Sequence, residues 1–111
     1  MTINGNDIRM IRGDTEQLVV TCQLSDGTER PFEEGDTVTL TVAWPLGETV
    51  LQKTVTSFQE GAAMFLISHA DTNELFPAEY IYDVQLTAKD GTVATIIPPA
   101  RFVLEGDVTR D

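Results

Sequence analysis

Residues 71 to 91, Asp-Thr-Asn-Glu-Leu-Phe-Pro-Ala-Glu-Tyr-Ile-Tyr-Asp-Val-Gln-Leu-Thr-Ala-Lys-Asp-Gly, leave few choices for the chain around them. A polar corner ends at Pro77 and Ala78, and the strand that follows puts Tyr80, Tyr82, Val84 and Leu86 on one face, because successive strand side chains point to opposite sides. Lys89-Asp90-Gly91 then turns the chain back into another apolar run. An aromatic corner, a strand and a hairpin in that order describe the penultimate strand of an antiparallel β-sandwich.

The remaining strands follow from the same alternation. Residues 37 to 44 give its cleanest form, with Thr37, Thr39 and Thr41 on one face and Val38, Leu40, Val42 and Trp44 on the other. Burial of each of these four should contribute about 1.5–3 kcal/mol. Residues 7 to 12 read as a first strand ended by Gly13-Asp14, and residues 17 to 24 as a second, closed by an Asp26-Gly27 turn that tolerates positive φ. Cys22, in phase with Leu18, Val20 and Leu24, is expected as a reduced thiol on the buried face. Residues 48 to 58 alternate weakly, as an edge strand does. Gly61 turns the chain into Ala63, Phe65 and Ile67, and a last strand runs from Thr92 to about Leu104. Pro98-Pro99 within it demands an edge or a bulge. Asp71 to Leu75 could close one helical turn with Asp71 as cap. The expected fold is all-β: an antiparallel, immunoglobulin-like sandwich of seven or eight strands, with at most one short helical turn near 70–76, over a single domain spanning 1–111.

With 111 residues, 41% hydrophobic and 23% charged, the chain can bury a core without metals or disulfides. Its 18 acidic against 7 basic side chains give a formal charge of −11. Such a field repels nucleic acid and anionic lipid, so neither is expected as a partner. It suits either solubility or docking on a basic protein surface. The N-terminus, Met-Thr-Ile-Asn-Gly-Asn-Asp, has no signal-peptide regions, and the longest apolar run, residues 62 to 67, is too short to span a bilayer. Synthesis in a bacterial cytoplasm without an export signal is the expectation.

Residues able to carry chemistry are few. His69 is the single histidine, with no second histidine or cysteine pair to complete a metal or catalytic set. Glu33-Glu34-Gly35-Asp36 and Glu105-Gly106-Asp107 could contribute to a calcium site, but neither has the alternating spacing of a calcium loop. Arg12-Gly13-Asp14 matches the integrin tripeptide in letters, and its glycine is as well explained by a turn. Tyr80 and Tyr82 read as a brace, with a hydroxyl tied to upstream backbone; the other reading is a sugar-stacking platform. Trp44, Phe32, Phe58 and Phe76 are the further aromatic candidates for stacking. No enzyme activity, cofactor or metal is expected.

Taken in order, Ile11-Arg12-Gly13-Asp14-Thr15, Asp26-Gly27, Glu34-Gly35-Asp36-Thr37-Val38-Thr39-Leu40-Thr41-Val42 and Asp71-Thr72 mark the first two thirds of a family pattern. Glu79-Tyr80-Ile81-Tyr82-Asp83-Val84-Gln85-Leu86, Asp90-Gly91-Thr92-Val93, Phe102-Val103-Leu104 and Asp107-Val108-Thr109 complete it. Over nearly its whole length the sequence resembles the N-terminal domain of phage baseplate upper proteins and related sandwich domains of phage tail and baseplate proteins. The resemblance implies a virion structural protein of a phage or prophage, without catalysis or cofactor. Such proteins join the tail hub or baseplate to receptor-binding parts, usually as oligomers. Longer members continue into a coiled coil or partner domain; without one, bridging implies self-association. The implied partners are other phage subunits or further copies of the chain, and the implied destination is the virion. Residues 48 to 58, with Val50, Gln52 and Lys53, are the candidate docking edge. A non-catalytic carbohydrate- or surface-binding module is the alternative.

Overall fold

The computed structural model of the chain describes residues 1–109; the last two residues of the expected 1–111 domain lie outside the described residues. Eight strands and one helical turn follow one another: β1 (Thr2–Asn4), β2 (Asp7–Ile11), β3 (Glu16–Val20), β4 (Thr37–Ala43), β5 (Thr49–Val55), β6 (Ala63–Ile67), α1 (His69–Thr72), β7 (Ala78–Thr87) and β8 (Val93–Glu105). Six of them form one sheet in the order β1-β2-β8-β7-β4-β5, and β3 and β6 form a second.

The core lies between these sheets, and the alternation of each strand decides what enters it. β4 contributes Val38, Leu40 and Val42, and β7 contributes Tyr80, Tyr82, Val84 and Leu86, all buried. β2 and β8 add Ile8, Met10, Phe102 and Leu104. From the small sheet come Leu18 and Val20 on β3 and Ala63, Phe65 and Ile67 on β6. Burial of Phe65 or Leu40 is worth about 1.5–3 kcal/mol each, so a dozen such side chains supply the main favourable contribution to folding. Phe32, from the long connection between β3 and β4, extends the core and stacks on Phe58 at 5.3 Å.

Three features differ from the sequence expectation. The pairing is not wholly antiparallel: β2 runs parallel to β8, with Ile8 opposite Phe102 and Ile11 opposite Glu105. Parallel neighbours need a long crossover, and here the rest of the sandwich supplies it. The second strand ends at Val20 rather than near residue 24, because its partner β6 begins at Ala63, opposite Val20. Beyond that point Leu24 accepts and donates within a tight turn, bonding Thr28 and Gly27 through its backbone, and its side chain is half exposed. Third, a short β1 hairpin, paired from Thr2–Arg9 to Asn4–Asp7, precedes the first expected strand.

Pro98 and Pro99 sit where β8 bulges. Tyr82 pairs with Ala100 and Val84 with Ile97, so both prolines oppose Asp83 alone. A missing N–H costs nothing where the ladder is already interrupted.

Candidate functional site

Tyr80 is fully buried, and its hydroxyl donates to the Phe76 carbonyl at 2.6 Å, across the corner that opens β7. Tyr82, two residues on, donates to the Asn6 carbonyl in the β1–β2 turn. Burial pushes both phenols up, so each stays a protonated donor. Trp44 packs over Tyr80 with ring centroids 4.4 Å apart. These aromatics therefore bind the corner, the core and the N-terminal turn to one another.

Asp71 is the third residue of the helical turn rather than its cap. Ser68, extended at the end of β6, is the N-cap, and Asp71 Oδ2 accepts its backbone N–H at 2.8 Å. The same oxygen lies 2.7 Å from Lys53 Nζ on β5. Burial raises this carboxyl, but the Lys53 ammonium and the Ser68 bonds outweigh it and hold the group below the usual range. Lys53 thus ties the margin of the large sheet to α1. Val50 is half-buried and Gln52 exposed, its amide donating to Thr41 Oγ1 at 3.1 Å. β5 is the outermost strand at its end of the sheet.

The other chemically capable residues are held by structural partners. His69 is exposed, and its Nδ1 lies 2.7 Å from the Gly13 carbonyl oxygen, to which an Nδ1–H donates. Arg12 makes a two-nitrogen bond to Asp107 at 2.9 Å and reaches the Leu75 carbonyl. Gly13, at φ 86, donates to Thr72 Oγ1. Arg12 and Gly13 of the Arg12-Gly13-Asp14 tripeptide are therefore held by structural partners, while Asp14 is exposed in the turn. In the two acidic segments, Asp36 binds Arg30 at 2.8 Å and Glu105 faces Arg9 at 3.5 Å. Among the described residues no three His, Cys, Asp or Glu side chains converge as metal ligands would.

A further concavity was not legible in the sequence. A groove of about 940 Å³ opens between β3, with the segment that follows it, and the first half of β8. Leu18 to Ser25 form one wall, Ala94 to Ile97 the other, and Tyr82 and Leu86 lie at its base. Cys22 lines it and is half-buried rather than sealed in the core. Among the described residues β3 has no strand neighbour on the side away from β6, and the first half of β8 has none on the side away from β7, so free strand edges form the walls of the groove. The signal for it was the mismatch in strand length: β8 runs for 13 residues, while β2 accompanies it only from Phe102.

No helix among the described residues is long and apolar enough to cross a membrane. Compared with protein-family models and with curated proteins, the chain matches none.

Proposed function

We propose that the chain is a non-catalytic docking module, a tail- or baseplate-associated structural subunit of a phage or prophage virion. The observation that carries this reading is the pair of open strand margins: β5 closes the large sheet at one side, and the first half of β8 lies unaccompanied at the other. Unpaired backbone groups along a strand are a ready template for a neighbouring chain. An immunoglobulin-like topology is supported by the order β2-β8-β7-β4-β5 facing β3-β6, and by the Tyr80 corner. Glycan stacking has less support. Trp44 packs on Tyr80 and Phe32 on Phe58, which leaves Phe76, 75% exposed, as the one open ring among these candidates.

One sandwich with two docking edges can join two neighbours. The test is co-purification with assembled particles. Proline is placed singly at positions 50 to 54 of β5; where the N–H points away from β4 the fold survives. The expected result is that the unaltered chain is found in particles and the folded proline variants are not. Equal incorporation of those variants, or no incorporation of the unaltered chain, would overturn the proposal.

A further inference from the structure

We infer that the groove between β3 and β8 seats an extended, cationic segment of a partner protein, which adds as a strand along Val93–Ile97 and lays apolar side chains between the two sheets. This rests on the docking reading and names the partner's chemistry. The groove's walls are strand edges, for the reason given above, and an edge offers a row of backbone donors and acceptors that only another extended chain can match. Among the described residues, β3 has a strand partner on its β6 side alone. β8 is joined by β2 only beyond Arg101, where the backbone N–H instead finds the Asp7 carboxylate at 3.0 Å.

The base of the groove asks for apolar side chains. Leu18, Val20, Tyr82 and Leu86 are core residues that reach its surface, and Ile96 and Ile97 are only partly covered. Apolar surface in a concavity of this size gains from each side chain that displaces water from it. The seat is short, because Pro98 and Pro99 have no N–H to offer beyond Ile97.

The rim asks for positive charge. Asp90 lines the groove, Asp26 follows the lining residue Ser25, and Glu29 bridges to Gln23. Asp26 and Asp90 accept the N–H of Thr28 and Thr92 two residues on, which lowers both carboxyls and keeps them ionised. Arg30, the cation that lines the groove, is already bound to Asp36. Arg9, Arg12, Lys53 and Arg101 each face a carboxylate of the chain itself, and Lys89, in the turn between the lining residues Ala88 and Asp90, lays its side chain over Gly35. With 18 acidic side chains against 7 basic ones, the chain carries a formal −11 that an outside cationic partner can offset. A second copy of this chain brings the same charge and is repelled.

The probe is a ten-residue peptide of alternating lysine and valine, compared with one of alternating glutamate and valine. Binding is read by amide shifts of the isotope-labelled chain and by the rate at which a soluble disulfide reagent modifies Cys22 in the groove wall. The lysine peptide is expected to shift Val20 to Gln23 and Val93 to Ile97 and to slow Cys22 modification at least threefold. Changing Asp26→Asn, Glu29→Gln and Asp90→Asn together keeps both turns, because Asn caps them as Asp does. That variant, with Trp44 fluorescence showing it folded, is expected to bind about tenfold more weakly. No groove shifts at millimolar lysine peptide, equal binding of the glutamate peptide, or an unchanged triple variant overturns the inference. Shifts confined to β5 reject this seat while leaving the docking reading in place. Groove binding by a chain that never joins particles rejects the virion role instead.

Discussion

Asp36→Asn removes one charge while keeping the side chain's shape, at a carboxylate that is 1% exposed. Asp36 takes Arg30 Nη1 at 2.8 Å and Nη2 at 3.4 Å, and the Glu33 N–H at 3.1 Å. Together these bonds anchor the long connection between β3 and β4, which carries Phe32 into the core and Arg30 to the groove. A hydrogen bond with a charged partner is worth about 1.5–3 kcal/mol, and orphaning a fully buried charge costs about 3–5. The Arg30 side chain is 27% exposed and regains water when its partner is neutralised, so the expected cost is about 2 kcal/mol. At a urea m-value of about 1.5 kcal/mol/M, the midpoint falls by about 1.3 M. The single tryptophan, Trp44, packed on Tyr80, reports the transition. The Arg30 bonds, against the opposing effect of burial, hold the Asp36 carboxyl below its ordinary value. A depressed folded-state pKa gives stability that is present above the unfolded value of about 3.9 and is lost as pH falls toward the folded one. The gap between the two proteins should therefore be flat from pH 7 to about pH 5 and close below about pH 4. A gap under 0.5 kcal/mol at pH 7, or one that persists unchanged in acid, refutes the assignment of this pair as the anchor.

Tyr80→Phe keeps the buried ring and removes the hydroxyl that holds the Phe76 carbonyl; it should cost about 1 kcal/mol and lower Tm by about 4 °C. An unchanged calorimetric Tm would show that the corner does not depend on that bond. Gly61→Ala and Gly27→Ala form a contrasting pair. Both glycines have positive φ, 75° and 88°, but a Cβ at Gly61 would lie 2.6 Å from Pro31 Cβ while none meets anything within 4 Å at Gly27. Denaturation should show about 1 kcal/mol lost at Gly27 and about 2–3 kcal/mol or more at Gly61. Equal losses would mean that the Pro31 contact relaxes freely.

Local signals were the legible ones. The alternation of Val38, Leu40 and Val42, and of Tyr80 to Leu86, marks β4 and β7 because each strand is buried on one face alone. Asp26-Gly27 and Asp90-Gly91 mark tight turns, both with the Asp side chain bonded two residues on. What depends on a distant partner was not legible. Where β3 stops is decided by Ala63 of β6, and the phase shared by Cys22 and Leu24 with Val20 carries no information beyond that point. The β1–β2 hairpin turns at Gly5-Asn6, but β1 is three exposed residues with no apolar alternation, so only half of the usual signal is present. Ser68 takes the cap from Asp71 because β6 delivers it in an extended conformation, a fact of the preceding strand. For the proposed docking residues, weak alternation pointed to β5 as a margin, whereas the groove arises from the unequal reach of β2 and β8 along one another.

The parallel union of β2 with β8 sets a timetable. Ile8 and Met10 meet Phe102 and Leu104 across almost the full length of the chain, so during synthesis the leading hairpin waits until the final strand emerges. Closing so large a loop is slow, and until then β8 offers its whole outer flank to any passing strand. During that interval the chain's surplus of carboxylates repels any neighbour of like charge.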